Sequence, residues 1–420
     1  MTSPALDAAL KAARDTRRLE LFRGAIAKTA AVFREQFGDK AAIVVCDQRT
    51  FAVAGDHVGK LLDCHVIVLS DPEAEWSYVE QLGGFDDKYV IPVAVGSGTI
   101  NDLVKLAAHR LGRPYMCVAT AASMDGYTAY GASITKDGLK QTFDCPAPRA
   151  VVADVDIIAA APNELTASGY ADLLAKITAG ADWLVADALG IEPIDAHAWR
   201  TVQGSLRDAV ADPAGVRRGD VGAIERLTEG LMMGGFAMQA MQSSRPASGA
   251  EHQFSHLWDM QHATDASHGF KVGIGTLAVA RLYEKILDMP IEMLDIEDCA
   301  RRWREWPAVE ASIRKLFDSD ALRDKAIEET RAKMVLRDEL VAQLVRLRDA
   351  WPELNRKLRE QLVPSQRLAE MLREAGAASQ SEQIGISADR LALSHRLAYH
   401  IRRRFTVLDL AERLGMLGHA

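Results

Sequence analysis

Short apolar runs separated by polar, helix-length segments fill the first third of the chain. AAIVVCD (41–47), CHVIVLS (64–70), YVIPVAVGSG (89–98) and PYMCVAT (114–120) are β-branched and nearly continuous in hydrophobicity. That is the pattern of strands buried on both faces. Segments such as INDLVKLAAHRLG lie between them, and the alternation predicts a parallel α/β sheet with helices on both sides. SITKDGLKQTF (133–143) places a Lys-Asp-Gly turn between β-prone ends and predicts an added hairpin. The first 24 residues alternate charged and apolar positions at helical spacing.

From about residue 162 the period changes. Pro162 is a common first helical residue, and the Ala- and Leu-rich sequence after it has helical spacing. The segments 220–242, 270–288, 320–348, 353–377 and 388–415 all carry a 3.6-residue apolar period with charge on the other face. The pattern therefore predicts an α/β domain over residues 1–161 followed by an all-helical domain over 162–420. No internal repeat occurs, and AGAASQSEQIG (375–385) reads as an exposed loop.

At 420 residues the chain has room for two domains of ordinary size. The net charge of −8 argues against a nucleic-acid partner, because phosphate contacts need clustered cations. Five cysteines without CxxC spacing fit a reducing compartment. Neither a signal-peptide core nor an eighteen-residue apolar run is present. A cytoplasmic protein without membrane insertion is expected. The basic stretch HRLAYHIRRRFT (395–406) reads as charge on a solvated helix face or near its end, with a substrate phosphate or a neighbouring subunit as the alternative.

Two turns carry candidate chemistry. VAVGSGTIND puts Gly96, Ser97 and Gly98 directly after a buried-strand pattern and before a helix starting near Thr99. Glycine permits close backbone approach, and helix-start amides attract phosphate. Asn101 stands where the GxGxxG fingerprint needs glycine, and no Gly-Lys-Ser/Thr follows, so two common nucleotide motifs are excluded. A phosphate site and a plain tight turn both stay open. In ATAASMDGYTAYG, the small residues Thr120 to Ser123 could line a nucleotide and Asp125 could face a polar ligand, or Asp125-Gly126 could simply turn the chain.

Four of the eleven histidines fall within ASGAEHQFSHLWDMQHATDASHGF, at 252, 256, 262 and 268. His252 and His256 are four apart and share a helix face. His268 can return to the same point after the turn-like HATDASHG, whereas His262 is off that face. SGYADLLAK supplies Asp172 near the start of the first long helix, with Lys176 one turn on. One Asp and two His leave coordination positions open, as a catalytic metal site requires. Glu251 precedes the first histidine instead of following it, which excludes the HExxH protease motif. Ordinary surface or core histidines remain the alternative.

Taken together and in this order, GSGTIND, TAASMDG, SGYADLLAK, EHQFSH and SHGFKVG resemble the sn-glycerol-1-phosphate dehydrogenase family, within the iron-containing alcohol dehydrogenase and dehydroquinate synthase-like superfamily. The resemblance runs from about residue 20 to the carboxyl terminus. It implies an amino-terminal parallel-sheet nucleotide-binding domain, a carboxyl-terminal helical domain and an active site in the cleft between them. It implies that Asp172, His252 and His268 bind one divalent metal (zinc, nickel or iron) and that His256 and Asp172 serve catalysis. It places Asp125, Asp172 and His256 at the substrate, and Gly96, Ser97, Gly98, Thr99, Asp102, Thr120 and Ser123 around NAD(H) or NADP(H). Asp47 matches the carboxylate for the adenosine ribose and tilts the choice toward NAD. The implied reaction is reversible reduction of dihydroxyacetone phosphate to sn-glycerol 1-phosphate, in a homo-oligomer. One departure is Ala129, where the family often has Ser, with Thr128 beside it; this leaves the nicotinamide-side contact unassigned. Alternatives are a dehydrogenase of glycerol or another polyol phosphate, a dehydroquinate synthase-type lyase, whose family prefers Glu at the position of Asp172, and a non-catalytic metal- or nucleotide-binding protein.

Overall fold

The computed structural model describes residues 3–84 and 90–418. Eight strands occur among them: β1 Arg18–Phe22, β2 Ala41–Asp47, β3 His65–Leu69, β4 Val90–Gly96, β5 Met116–Ala119, β6 Ala132–Lys136, β7 Leu139–Phe143 and β8 Ala150–Asp154. Six form one parallel sheet in the order β1-β8-β5-β4-β2-β3, and β6 and β7 form the antiparallel hairpin. The four predicted strands and the hairpin are all present; Tyr89, at the start of the third predicted run, lies outside the described residues.

Two strands escape the sequence pattern. β1 is an edge strand whose RLELF alternates exposed and buried positions, and alternating charge in so short a run reads equally well as an amphipathic helix. The preceding residues Pro4–Ala12 do form a helix, capped by Ser3. β8 is only AVVAD, buried at every position and placed between β1 and β5.

Strand order reverses at β2. β3 pairs with one edge of β2 and β4 with the other, so the chain crosses over between them. In parallel sheets the crevice beyond the carboxyl ends of the strands at such a reversal is the usual ligand position. Asp47 ends β2 and Gly96 ends β4.

Strands end at Asp154, and the remainder is helical. Five helices matter for the site: α1 Gly98–Arg110, α2 Asn163–Leu174, α3 Lys176–Ala188, α4 Ala250–Met260 and α5 His268–Leu287. By contacts the chain divides into two compact units. One comprises residues 1–173, 197–247 and 374–377, and the other 174–196, 248–373 and 378–420. The change of character at 161/162 thus marks the end of the sheet, and both units draw helices from the sequence beyond it.

Several helical segments are cut differently from their periodicity. The predicted stretch 320–348 is broken at residues 334–336, and the following helix, Arg337–Gln361, runs on through Pro352. Its buried stripe of Leu340, Leu344, Leu347, Trp351, Leu354 and Leu358 is unbroken by the proline. The stretch 388–415 is two helices separated by residues 401–406. The segment 375–385 is not an exposed loop: Ala375, Ala377, Ala378, Ser381 and Ile384 are buried, small side chains having allowed the backbone inside. All five cysteines are free, and burial pushes the Cys46, Cys117 and Cys145 thiols up to about 12, so they pack as apolar groups. Among the described residues no helix is long and apolar enough to cross a membrane.

Candidate active site

The two turns lie at the carboxyl ends of neighbouring strands. β4 ends at Gly96, Ser97 is the N-cap of α1, and the amide of Thr120, just past β5, donates to the Gly96 carbonyl at 3.2 Å. Gly96 is buried while Ser97, Gly98 and Thr99 are partly exposed at the start of α1. This combination presents helix-start amides at the switch crevice, an arrangement suited to an anionic pyrophosphate. Asp47 stands at the end of the adjoining strand, but its Oδ1 accepts the Thr50 amide at 2.7 Å in a reciprocal capping box. Part of its carboxylate is therefore committed to the local turn.

Buried groups set the shape of the second turn. Lys105 on α1 is 1% exposed, and its ammonium donates to the carbonyls of Gly126, Ala129 and Gly131 at 2.9–3.0 Å. Asp102 accepts the Ser133 amide at 3.0 Å and the Asn101 side-chain amide at 3.2 Å, which ties its carboxylate to the scaffold. The Ser123 hydroxyl meets the Tyr127 hydroxyl at 3.0 Å. Thr128, beside the anomalous Ala129, is fully buried and gives its hydroxyl proton to the Met232 carbonyl at 2.8 Å. Its hydroxyl proton is thus committed to the scaffold.

Helix α2 lies directly on this turn. A Cβ at Gly169 would come within 1.8 Å of the Ala122 carbonyl oxygen, so only glycine permits the approach. Three residues on, Asp172 is fully buried and accepts the Asp125 backbone amide at 3.1 Å through Oδ2. The structure corrects one detail: Asp172 is near the end of α2, two residues before its last, and Lys176 opens α3 after a break at Ala175.

The histidines come from two consecutive helices. α4 carries His252 and His256 with ring centroids 6.4 Å apart, and α5 begins at His268, whose ring is 5.4 Å from that of His252. Helix α5 comes so close to α4 that a Cβ at Gly275 would sit 2.5 Å from the Glu251 carbonyl oxygen, an approach that glycine permits. Two buried carboxylates fix the start of α4. Asp182 on α3 accepts from the Ala250 amide at 2.7 Å and the Tyr283 hydroxyl at 2.6 Å. Glu251 accepts the Gly249 amide at 2.5 Å and the Thr178 hydroxyl at 2.9 Å, and lies 2.8 Å from His252 Nδ1. Burial pushes the Glu251 carboxyl up, but the bond and charge of His252 and the neighbouring amides outweigh it and hold it below its ordinary value. His262 is exposed, with a left-handed φ of 46°, at the turn after α4.

Asp172, His252 and His268 each offer one ligand atom, and these atoms lie within 4.8 Å of one another. Zinc holds imidazole nitrogen and carboxylate oxygen at about 2.0–2.2 Å, which sets neighbouring donors roughly 3–4 Å apart. The three groups therefore fit one divalent ion after a small contraction. A buried carboxylate beside two imidazoles is also the donor set such ions accept, with no selection among zinc, nickel and iron. Sequence reasoning missed Lys105, Thr178, Asp182 and Glu251. Their only signal is a polar residue inside an apolar helical run, which spacing alone cannot separate from a surface position.

The basic stretch has internal partners. Arg403 pairs with Glu329 at 2.9 Å, and Arg404 donates to the Ser248 carbonyl at 2.7 Å. His400 is buried against the Thr330 hydroxyl at 2.9 Å, and burial lowers its pKa to about 3. With Lys333, Arg346 and Arg413, Arg402–Arg404 line a cleft of about 830 Å³.

The profile of the iron-containing alcohol dehydrogenase family matches residues 20–162. A glycerol-1-phosphate dehydrogenase (NAD(P)+) of Halalkalibacterium halodurans is 34% identical over 65% of this chain and 72% of its own. Another, from Geobacillus stearothermophilus, is 30% identical over 92% of this chain and 90% of its own. Among solved structures, a probable glycerol dehydrogenase from Sinorhizobium meliloti superposes with a TM-score of 0.62 over 96% of both chains, at 16% identity. That last likeness concerns the fold.

Proposed function

The chain belongs to the iron-containing alcohol dehydrogenase family, and within it we propose a metal-dependent, NAD(P)H-linked enzyme that reversibly reduces dihydroxyacetone phosphate to sn-glycerol 1-phosphate. The convergence of Asp172, His252 and His268 on one point, with His256 one turn along the same helix as His252, carries the reading. Relatives of 30–34% identity that bear the glycerol-1-phosphate dehydrogenase name support the substrate class.

When bound, the nicotinamide supplies the hydride and the divalent ion supplies Lewis acidity at the substrate oxygen. The chain's own part is placement and proton handling. Asp172, His252 and His268 would hold the ion, and His256, only partly buried, would exchange a proton with the C2 oxygen of the substrate. The Asp125 side chain would orient the substrate while its amide keeps Asp172 in place. Gly96, Ser97, Gly98 and Thr99 would receive the pyrophosphate, with Thr120 and Ser123 lining the same crevice. Asp102 would act from inside the scaffold, by shaping the second turn. Asp47 would accept the adenosine ribose and repel a 2′-phosphate, which favours NAD.

The test is NADH and NADPH oxidation by the metal-reconstituted protein over dihydroxyacetone phosphate, dihydroxyacetone and other small ketones, with the product's configuration determined. Preference for dihydroxyacetone phosphate and formation of the sn-1 enantiomer are expected. Faster turnover of the unphosphorylated ketone would make the protein a glycerol dehydrogenase instead.

A further inference from the structure

We infer that Glu251 is the positioning residue of the metal site: its carboxylate, pinned by Thr178 and Gly249, takes the Nδ1 proton of His252 and aims Nε2 at the point shared with Asp172 and His268. The inference rests on the metal-dependent reading above. A neutral imidazole has one N–H and one lone pair, so whatever accepts the N–H decides which nitrogen can bind a cation. Here the acceptor is the preceding residue in the chain, 2.8 Å from Nδ1 and 0% exposed.

A free glutamate would be a poor guide, because three rotatable bonds let its carboxylate wander. This one is held on both oxygens. Oε1 takes the Gly249 amide at 2.5 Å as well as the His252 proton, and Oε2 lies 2.9 Å from the Thr178 hydroxyl, whose one proton it shares with the Ala175 carbonyl, also at 2.9 Å. Thr178 itself is fixed on α3, where it is fully buried. Behind Glu251, the close approach of Gly275 fixes the spacing between α4 and α5, so the carboxylate that orients His252 also sits where the two histidine helices meet. Carboxylates behind a ligating imidazole raise its basicity, and their loss commonly weakens metal binding by about 10–100-fold.

The experiment measures Zn²⁺ affinity of the metal-depleted full chain by competition with a chromogenic chelator, alongside thermal stability of the metal-free protein. Wild type, Glu251→Gln, Glu251→Ala, Thr178→Val and His252→Ala are compared. The expected order of affinity is wild type, then Thr178→Val, then Glu251→Gln, then Glu251→Ala, with the last weakened about 100-fold and His252→Ala lacking the site. Glutamine keeps an oxygen that can accept the Nδ1 proton, so it should recover part of what alanine loses. A merely structural Glu251 would change the metal-free melting temperature and leave affinity alone. Wild-type affinity in a folded Glu251→Gln would overturn the inference. If that variant does not fold, unchanged affinity in Thr178→Val overturns it. Failure of the wild type to bind Zn²⁺ would overturn the metal-dependent reading itself, and this inference with it.

Discussion

The glycine turns and the histidine helices both fix polar groups at defined points, but with opposite materials. At the turns the functional atoms are backbone amides, and buried side chains keep the backbone in shape: Lys105 takes three carbonyls and Asp102 takes the Ser133 amide. On α4 and α5 the functional atoms are side chains, and the backbone is an ordinary helix. There the shaping falls to carboxylates, Asp182 at the helix start and Glu251 at His252. A backbone site tolerates sequence change wherever the turn survives, whereas a side-chain site fails with one residue.

That contrast predicts its largest effect at the histidines. His252→Ala or His268→Ala should lose stoichiometric metal together with turnover, by about 10³-fold or more, since one of three protein ligands and several kcal/mol of Lewis-acid assistance go together. NADH binding should persist. Elemental analysis and NADH fluorescence titration of each variant decide, and a variant with full metal and ordinary turnover removes that histidine from the ligand set.

His256 sharpens the comparison within one helix. It shares a face with His252 but stands outside the donor cluster, so His256→Ala should keep metal and NADH and lose about 10²-fold in turnover, the scale of acid–base assistance. Metal loss from His256→Ala, with retention in His252→Ala, would exchange the two assignments.

The same contrast explains what could be read from residue order. Histidine at 252, 256 and 268 is legible because imidazole is scarce and helical spacing is regular, so residue identity nearly determines geometry. β2, β4 and β5 are legible because strands buried on both faces have few polar positions. β1 is not, because an edge strand of five residues alternates like a helix surface. Glu251 and Lys105 are illegible for another reason: whether a charged residue is buried depends on neighbours distant in the sequence, such as Thr178 for Glu251 and the 126–131 carbonyls for Lys105. The gap after Lys333 and the continuity through Pro352 likewise depend on packing.

The smallest effect, and the most direct test of a backbone site, is at Gly98. A Cβ there would meet the Met124 Cε at 2.8 Å and its Cγ at 3.2 Å, contacts with a flexible thioether side chain and not with backbone. Gly98→Ala should therefore cost less than about 1 kcal/mol of stability, because Met124 can turn aside. It should nevertheless weaken NADH binding, since the added methyl group stands at the first residue of α1, where the pyrophosphate would approach the helix amides. Zn²⁺ affinity should not move, because no donor of the metal cluster touches this residue's new methyl. NADH titration, Zn²⁺ competition and thermal melting on the one variant separate the outcomes. Unchanged NADH affinity in a folded Gly98→Ala would move the pyrophosphate away from this turn. A matching fall in Zn²⁺ affinity would mean that the backbone site and the side-chain site are not independent.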